Sequence, residues 1–116
     1  MDVMRDELAR RLDDSTLAII DVRSPSEFAG AGAACCARQG HIPGAVNVDV
    51  QELLGRSPAQ VRDVVGLPEG AEVVAYCHSG SRSALAVDVL RAAGYDARNY
   101  VGSWHEWARD ATLPVE

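Results

Sequence analysis

Short β-branched apolar runs alternate along this chain with helix-length segments, and that alternation restricts its fold more than any other feature. "LAIIDV" (17–22) and "EVVAY" (72–76) are compact apolar runs, the pattern of strands covered on both faces. "ARNYV" (97–101) reads as a further strand, and "GHIPGAVNVDV" as a turn leading into a short strand around 45–48. Between them, "SPSEF" opens a helix with Ser24 as N-cap, Pro25 at the first position and Glu27 completing a capping box. "SPAQVRDVVG" repeats that opening and stops at Gly66. A long helix is predicted from about Ser81 to Ala93, ending at Gly94, and a last short one over "SWHEWARD". Met4, Leu8 and Leu12 recur every four residues and predict a short amphipathic helix at the start. "AGAGAACCARQG" (29–40) has no usable period and reads as an irregular loop. Strands alternating with helices imply βαβ units, hence an α/β fold with a parallel sheet covered on both faces.

The helix after the third run carries Ala84, Leu85, Ala86, Val87, Val89, Leu90, Ala92 and Ala93, so it is apolar nearly all round and is predicted to be buried. Trp104 and Trp107 fall three apart on the last helix, a spacing that points to core packing. With 116 residues and no repeat, linker or low-complexity tract, one domain over 1–116 is expected.

A net charge of -6 argues against a nucleic-acid surface, while leaving room for a small anion in a locally positive pocket. The N-terminus "MDVMRDELARRL" lacks the apolar core of a signal peptide. No apolar run approaches the roughly 20 residues of a membrane span. Three cysteines, two of them adjacent, do not make a disulfide framework. The expected setting is reducing and cytoplasmic, where thiols can act as chemical groups.

The stretch "YCHSGSRSAL" (76–85) concentrates the chemistry. Ligands of open α/β sheets bind outside the carboxyl ends of the strands, beside helix N-termini, and Cys77 lies at such an end. Ser79, Gly80 and Ser81 let the backbone curl tightly, so its amides can converge as an anion-binding nest at the positive end of the helix. A cysteine there is expected to titrate below the ordinary thiol range. Arg82, always charged, offers a planar fork to an oxyanion. These are the parts of an activated nucleophile in an anion cradle. Four residues separate Cys77 from Arg82, one fewer than in protein tyrosine phosphatases. The shorter loop makes a tighter bowl, matched to one added sulfur atom.

Three motifs together resemble the rhodanese-like domain family of sulfurtransferases: "IIDVRSPSEF" (19–28), "GHIPGAVNV" (40–48) and the loop "YCHSGSRSAL". The resemblance implies a three-layer fold with a central parallel sheet of four or five strands. It also implies a persulfide mechanism, in which Cys77 takes a sulfane sulfur from a donor such as thiosulfate and passes it to cyanide or a thiol. Loop amides from His78 to Ser83, through Ser79, Gly80, Ser81 and Arg82, would hold the persulfide, and Arg82 would bind the donor. "NYVGSWHEWARDATLPVE" is similar to the end of the catalytic half of two-domain thiosulfate and 3-mercaptopyruvate sulfurtransferases. Val101 stands where an acidic residue is usual, and Arg82 where Val or Thr is typical, which favours thiosulfate as donor. No cofactor is implied. The expected partners are a small anionic sulfur donor and a thiol or cyanide acceptor, with a thioredoxin-like or other protein as a further acceptor; nucleic acid and membrane are not expected. The alternatives are a non-catalytic or regulatory module carrying sulfur or sensing redox state, and a phosphatase or arsenate reductase.

Other candidates have plainer readings beside the functional one. Arg23, just past a strand end, offers a second anion contact or an ion pair within the fold; Asp21 reads as structural. Cys35 and Cys36 are either a resolving thiol pair or incidental loop cysteines, and a disulfide between neighbours would be strained. His41, His78 and His105 are scattered along the chain, so no metal site is expected. His41 reads as part of the turn, and His78 as pointing to solvent at the pocket rim. Ser83 either donates to the Cys77 sulfur or helps begin the helix.

Overall fold

The structure, a computed structural model, describes residues 2–31 and 36–116. Its strands are β1 (Asp2–Val3), β2 (Leu17–Asp21), β3 (Val46–Asn47), β4 (Glu72–Tyr76) and β5 (Asp96–Tyr100). They pair in parallel as one five-stranded sheet in the order β1-β5-β4-β2-β3. The helices are α1 (Arg5–Arg10), α2 (Pro25–Phe28), α3 (Pro58–Val65), α4 (Ser81–Ala92) and α5 (Ser103–Arg109), with a 3-10 turn at Val50–Glu52. The expected α/β fold, its parallel sheet and its covered faces are all present.

The period of two along the central strands divides the core into two layers. Val73, Ala75 and Cys77 pack with Ile20 and Val22 against Val61 of α3 and Ala86, Val87 and Leu90 of α4. Val74, Tyr76 and Ile19 face the other way, onto Leu8 of α1 and Trp104 and Trp107 of α5. Both tryptophans are fully buried, as the helical spacing predicted. β-Branched side chains suit these positions because their stiff χ1 fits a pleated surface. No helix among the described residues is long and apolar enough to cross a membrane.

Local sequence sets the helix ends. Ser24 and Ser57 each accept from the backbone N–H three residues on, and Glu27 and Gln60 complete the two capping boxes. Gly66 closes α3 in the left-handed conformation. Two expectations fail. The α4 helix buries only one side: Ser83, Ala86, Val87 and Leu90 face the sheet, while Leu85 is 54% exposed. Alanine counts as apolar but is above all a helix former that water tolerates, so a run of alanines overstates burial. Met4 is the N-cap of α1 and stands exposed instead of joining Leu8 in the core.

The strand order places the site. From β4 the chain moves outward to β5, and from β2 it moves the opposite way to β3. The order therefore reverses between β2 and β4, where a crevice opens beyond the strand ends. Cys77 follows β4 there, and Arg23 to Glu27 follow β2.

Candidate active site

Cys77 ends β4 with its side chain on the α4 layer and is 0% exposed. The chain then turns through His78, Ser79 and Gly80 into α4. Gly80 takes φ +98°, and a Cβ there would lie 2.6 Å from the Val101 carbonyl oxygen, so only glycine fits this close approach. The turn aims N–H groups back at the sulfur. Gly80 N–H donates to Cys77 Sγ at 3.0 Å and Ser83 N–H at 3.4 Å. The Ser83 hydroxyl also lies 3.4 Å from Sγ and 3.2 Å from the Gly80 carbonyl, so its one proton is contested between them.

Burial pushes the Cys77 thiol up, but donation from the Ser83 hydroxyl and from the Ser83, Gly80 and Ser79 N–H groups outweighs it. The net effect holds the thiol below its ordinary value. The cradle therefore favours a thiolate even in a buried place. Among the loop residues named from the sequence, Gly80 and Ser83 contact Sγ directly and Ser79 adds its N–H, while Ser81 and Arg82 form the first turn of α4.

A second element braces the loop. The N–H groups of Trp104 and His105 donate to the carbonyls of Cys77 and His78 at 2.9 and 3.0 Å. Ser103 accepts from the Cys77 N–H at 3.1 Å, donates to the Tyr100 carbonyl at 2.8 Å, and lies 4.0 Å from Sγ. Its φ of +54° is the one positive value outside glycine among the described residues. Such a conformation in a serine costs energy and persists where surroundings impose it. Asn99 Nδ2 holds the Gly80 carbonyl at 3.2 Å from the neighbouring strand. Ser103 and Asn99 were not singled out from the sequence; "GSW" flagged the segment, but only the fold brings it under Cys77.

Arg82 is not an unencumbered cation. Its guanidinium makes two bonds to the Glu27 carboxylate, at 2.9 and 3.2 Å. Arg82 keeps Glu27 well below the usual carboxylate range, at about 2, with burial opposing and the Ser24 N–H assisting. Glu27 thus caps α2 and grips the cation of α4, a second role that its capping position does not disclose. Arg82 still interacts electrostatically with Cys77.

Of the two readings of Arg23, the ion pair within the fold is the one the structure shows. It is 2% exposed, its donors go to both Asp21 oxygens and to the Gly40 carbonyl at 2.7 Å, and it stacks 5.0 Å from the Trp104 ring centre. Through these bonds Arg23 ties the β2 end to the loop before β3. His41 likewise belongs to the turn, stacked 3.8 Å from Phe28 with Nδ1 against the Phe28 carbonyl.

His78 does not point to solvent. Its ring meets His105 edge-on at 5.6 Å, and its Nε2 is shielded and has no hydrogen-bond partner among the described residues. Cys36 comes to the same place, so His78 and His105, scattered in sequence, are neighbours in space. Cys35 lies outside the described residues. Beside the loop, a cleft of about 670 Å³ is lined by Ser79, Val101, Gly102, His105 and Arg109.

The family model of the rhodanese-like domain matches residues 4–110. The chain is similar to thiosulfate sulfurtransferase of Pseudomonas aeruginosa, at 35% identity over 97% of this chain and 44% of the relative. It is also similar to thiosulfate sulfurtransferase of Azotobacter vinelandii, at 37% identity over 97% and 44%. A crystal structure described as a probable thiosulfate sulfurtransferase superposes with TM-score 0.84 at 46% identity, over 99% of this chain and 47% of that one. The chain spans about half the length of the relatives it matches. With nearly every residue matched, a parallel sheet in place and a cysteine loop at the strand ends, the chain belongs to the rhodanese-like domain family.

Proposed function

We propose that this chain is a sulfurtransferase that carries sulfane sulfur as a persulfide on Cys77, with thiosulfate as donor. The observation that carries the reading is the set of donors on one sulfur: Gly80 N–H, Ser83 N–H and the Ser83 hydroxyl, enough to overcome burial and favour the thiolate. The relatives' names support the choice of donor.

The thiolate attacks the outer sulfur of thiosulfate; a new S–S bond forms, the old one breaks, and sulfite leaves with its electron pair. The acceptor, cyanide or a thiol, then attacks that outer sulfur and returns the electron pair to Cys77 as thiolate. The loop N–H groups from His78 to Ser83 stabilise negative charge on whichever sulfur bears it. Arg82, shared with Glu27, attracts the dianionic donor, and thiosulfate competes with that carboxylate for the guanidinium. Arg23 has only a structural part. The acceptor in the cell is a small thiol or a thioredoxin-like protein, and the setting is the cytoplasm, where an odd cysteine count is compatible with reduced thiols.

Incubation with thiosulfate should add one sulfur's mass to the intact protein. Cyanide should remove it, and Cys77→Ser should never acquire it. Wild-type protein that gains no such mass refutes the proposal. Hydrolysis of an aryl phosphate dependent on Cys77 would put a phosphatase in its place.

A further inference from the structure

We infer that Cys36, His78 and His105 form a zinc site at the rim of the Cys77 loop. One ligand atom from each residue, the Cys36 sulfur and a ring nitrogen of each histidine, lies within 4.8 Å of the other two. These residue types are the ligands Zn²⁺ prefers, and three of them leave one of four tetrahedral positions open. Bond lengths of about 2.3 Å to sulfur and 2.0–2.1 Å to nitrogen put such ligand atoms roughly 3.5 Å apart. The trio needs to contract by about an ångström, within reach of side-chain rotation.

Two further observations point the same way. His78 Nε2 is shielded from solvent yet has no hydrogen-bond partner among the described residues, an arrangement that native proteins rarely leave unsatisfied. A metal ion would give that nitrogen the partner it lacks. His105 is exposed and also lines the open cleft beside the loop, which supplies an entry path for the ion. Backbone already fixes two of the three residues: His105 N–H donates to the His78 carbonyl at 3.0 Å, so these ligands are positioned before metal arrives. The third, Cys36, comes from the loop before β3, and a bound ion would tie that loop to the start of α5. Ligand exchange at the open position suits a soft anion, because thiolate and imidazole ligands select thiophilic metals.

The site is independent of whether Cys77 transfers sulfur, and its test is spectroscopic. Tag-free, reduced protein is titrated with Co²⁺ alone, following thiolate-to-cobalt charge-transfer absorption and the visible bands of four-coordinate cobalt, then back-titrated with Zn²⁺. Wild type should bind one Co²⁺ with both signatures, and Zn²⁺ should abolish them. Cys36→Ser should lose the charge-transfer band. His105→Ala should weaken binding by more than the roughly 10–100-fold that loss of an outer-shell partner brings. Cys77→Ser should bind as wild type does. Circular dichroism of each variant checks that it is folded. A band that survives in Cys36→Ser, a band lost in Cys77→Ser, or a wild-type protein that shows none overturns the inference.

Discussion

Removing the Ser83 hydroxyl isolates one donor of the Cys77 cradle, and its effect on reactivity has a direction that reverses with pH. The hydroxyl lies 3.4 Å from Sγ and shares its proton with the Gly80 carbonyl at 3.2 Å. A hydrogen bond to a charged group contributes about 1.5–3 kcal/mol. The long distance and the competing acceptor reduce that to about 1 kcal/mol, which is roughly fivefold in the thiol–thiolate equilibrium. Ser83→Ala should therefore lower the thiolate population about fivefold on the acid side of the transition. A less stabilised thiolate is also more nucleophilic, with a Brønsted slope of about 0.4–0.5 that restores roughly twofold. Alkylation by iodoacetamide, followed across pH by stopped flow, should be about two- to threefold slower than wild type at acid pH. It should be about twofold faster on the alkaline plateau, the two profiles crossing between. Because the folded thiol sits below its ordinary value, the midpoint moves up toward that value in the variant. A profile that keeps its midpoint, or moves it toward acid, would show that the hydroxyl serves only the Gly80 carbonyl and that the backbone amides alone hold the thiolate.

Gly80→Ala forces a Cβ to 2.6 Å from the Val101 carbonyl at φ +98°, so urea unfolding should show a loss of about 1–3 kcal/mol, with persulfide loading abolished. Trp104→Ala opens a large cavity in the layer between the sheet and α5, on the opposite face from Cys77, and should cost about 3–5 kcal/mol by the same assay. Glu27→Gln removes the carboxylate that competes for Arg82 and should lower KM for thiosulfate, whereas Arg82→Ala should raise it. A partly exposed pair is worth about 0.2–1 kcal/mol, so the Glu27 effect stays below about fivefold. The pair also carries a pH signature. Glu27 titrates lower folded than unfolded, so its contribution to stability is complete above about 4.5 and disappears as pH falls through about 2. The stability difference between wild type and Glu27→Gln, read from unfolding curves, should shrink over that window and hold constant above it.

Much of this was legible before any coordinates. Ser24, Pro25 and Glu27, like Ser57, Pro58 and Gln60, encode helix starts within four residues, and Gly66 and Gly94 encode stops, because capping is satisfied locally. The runs 17–22 and 72–76 encode covered strands through side-chain type alone. Cys77, Gly80 and Ser83 could be assigned together because one short loop and one helix turn hold them, and their geometry follows from that local path. The two-residue β1 carries too little pattern to be read, and the alanine-rich face of α4 was misread because composition does not say which side meets the sheet. Contacts between distant segments were out of reach for a different reason. The Glu27 grip on Arg82, Ser103 beneath Cys77, the bond from Arg23 to the Gly40 carbonyl, and the meeting of Cys36 with His78 and His105 all join residues that no local rule couples. Short-range sequence determined where Cys77 and its hydrogen-bond donors sit along the chain. Only the parallel sheet, whose order reverses between β2 and β4, decided which side chains from other strands and helices surround them.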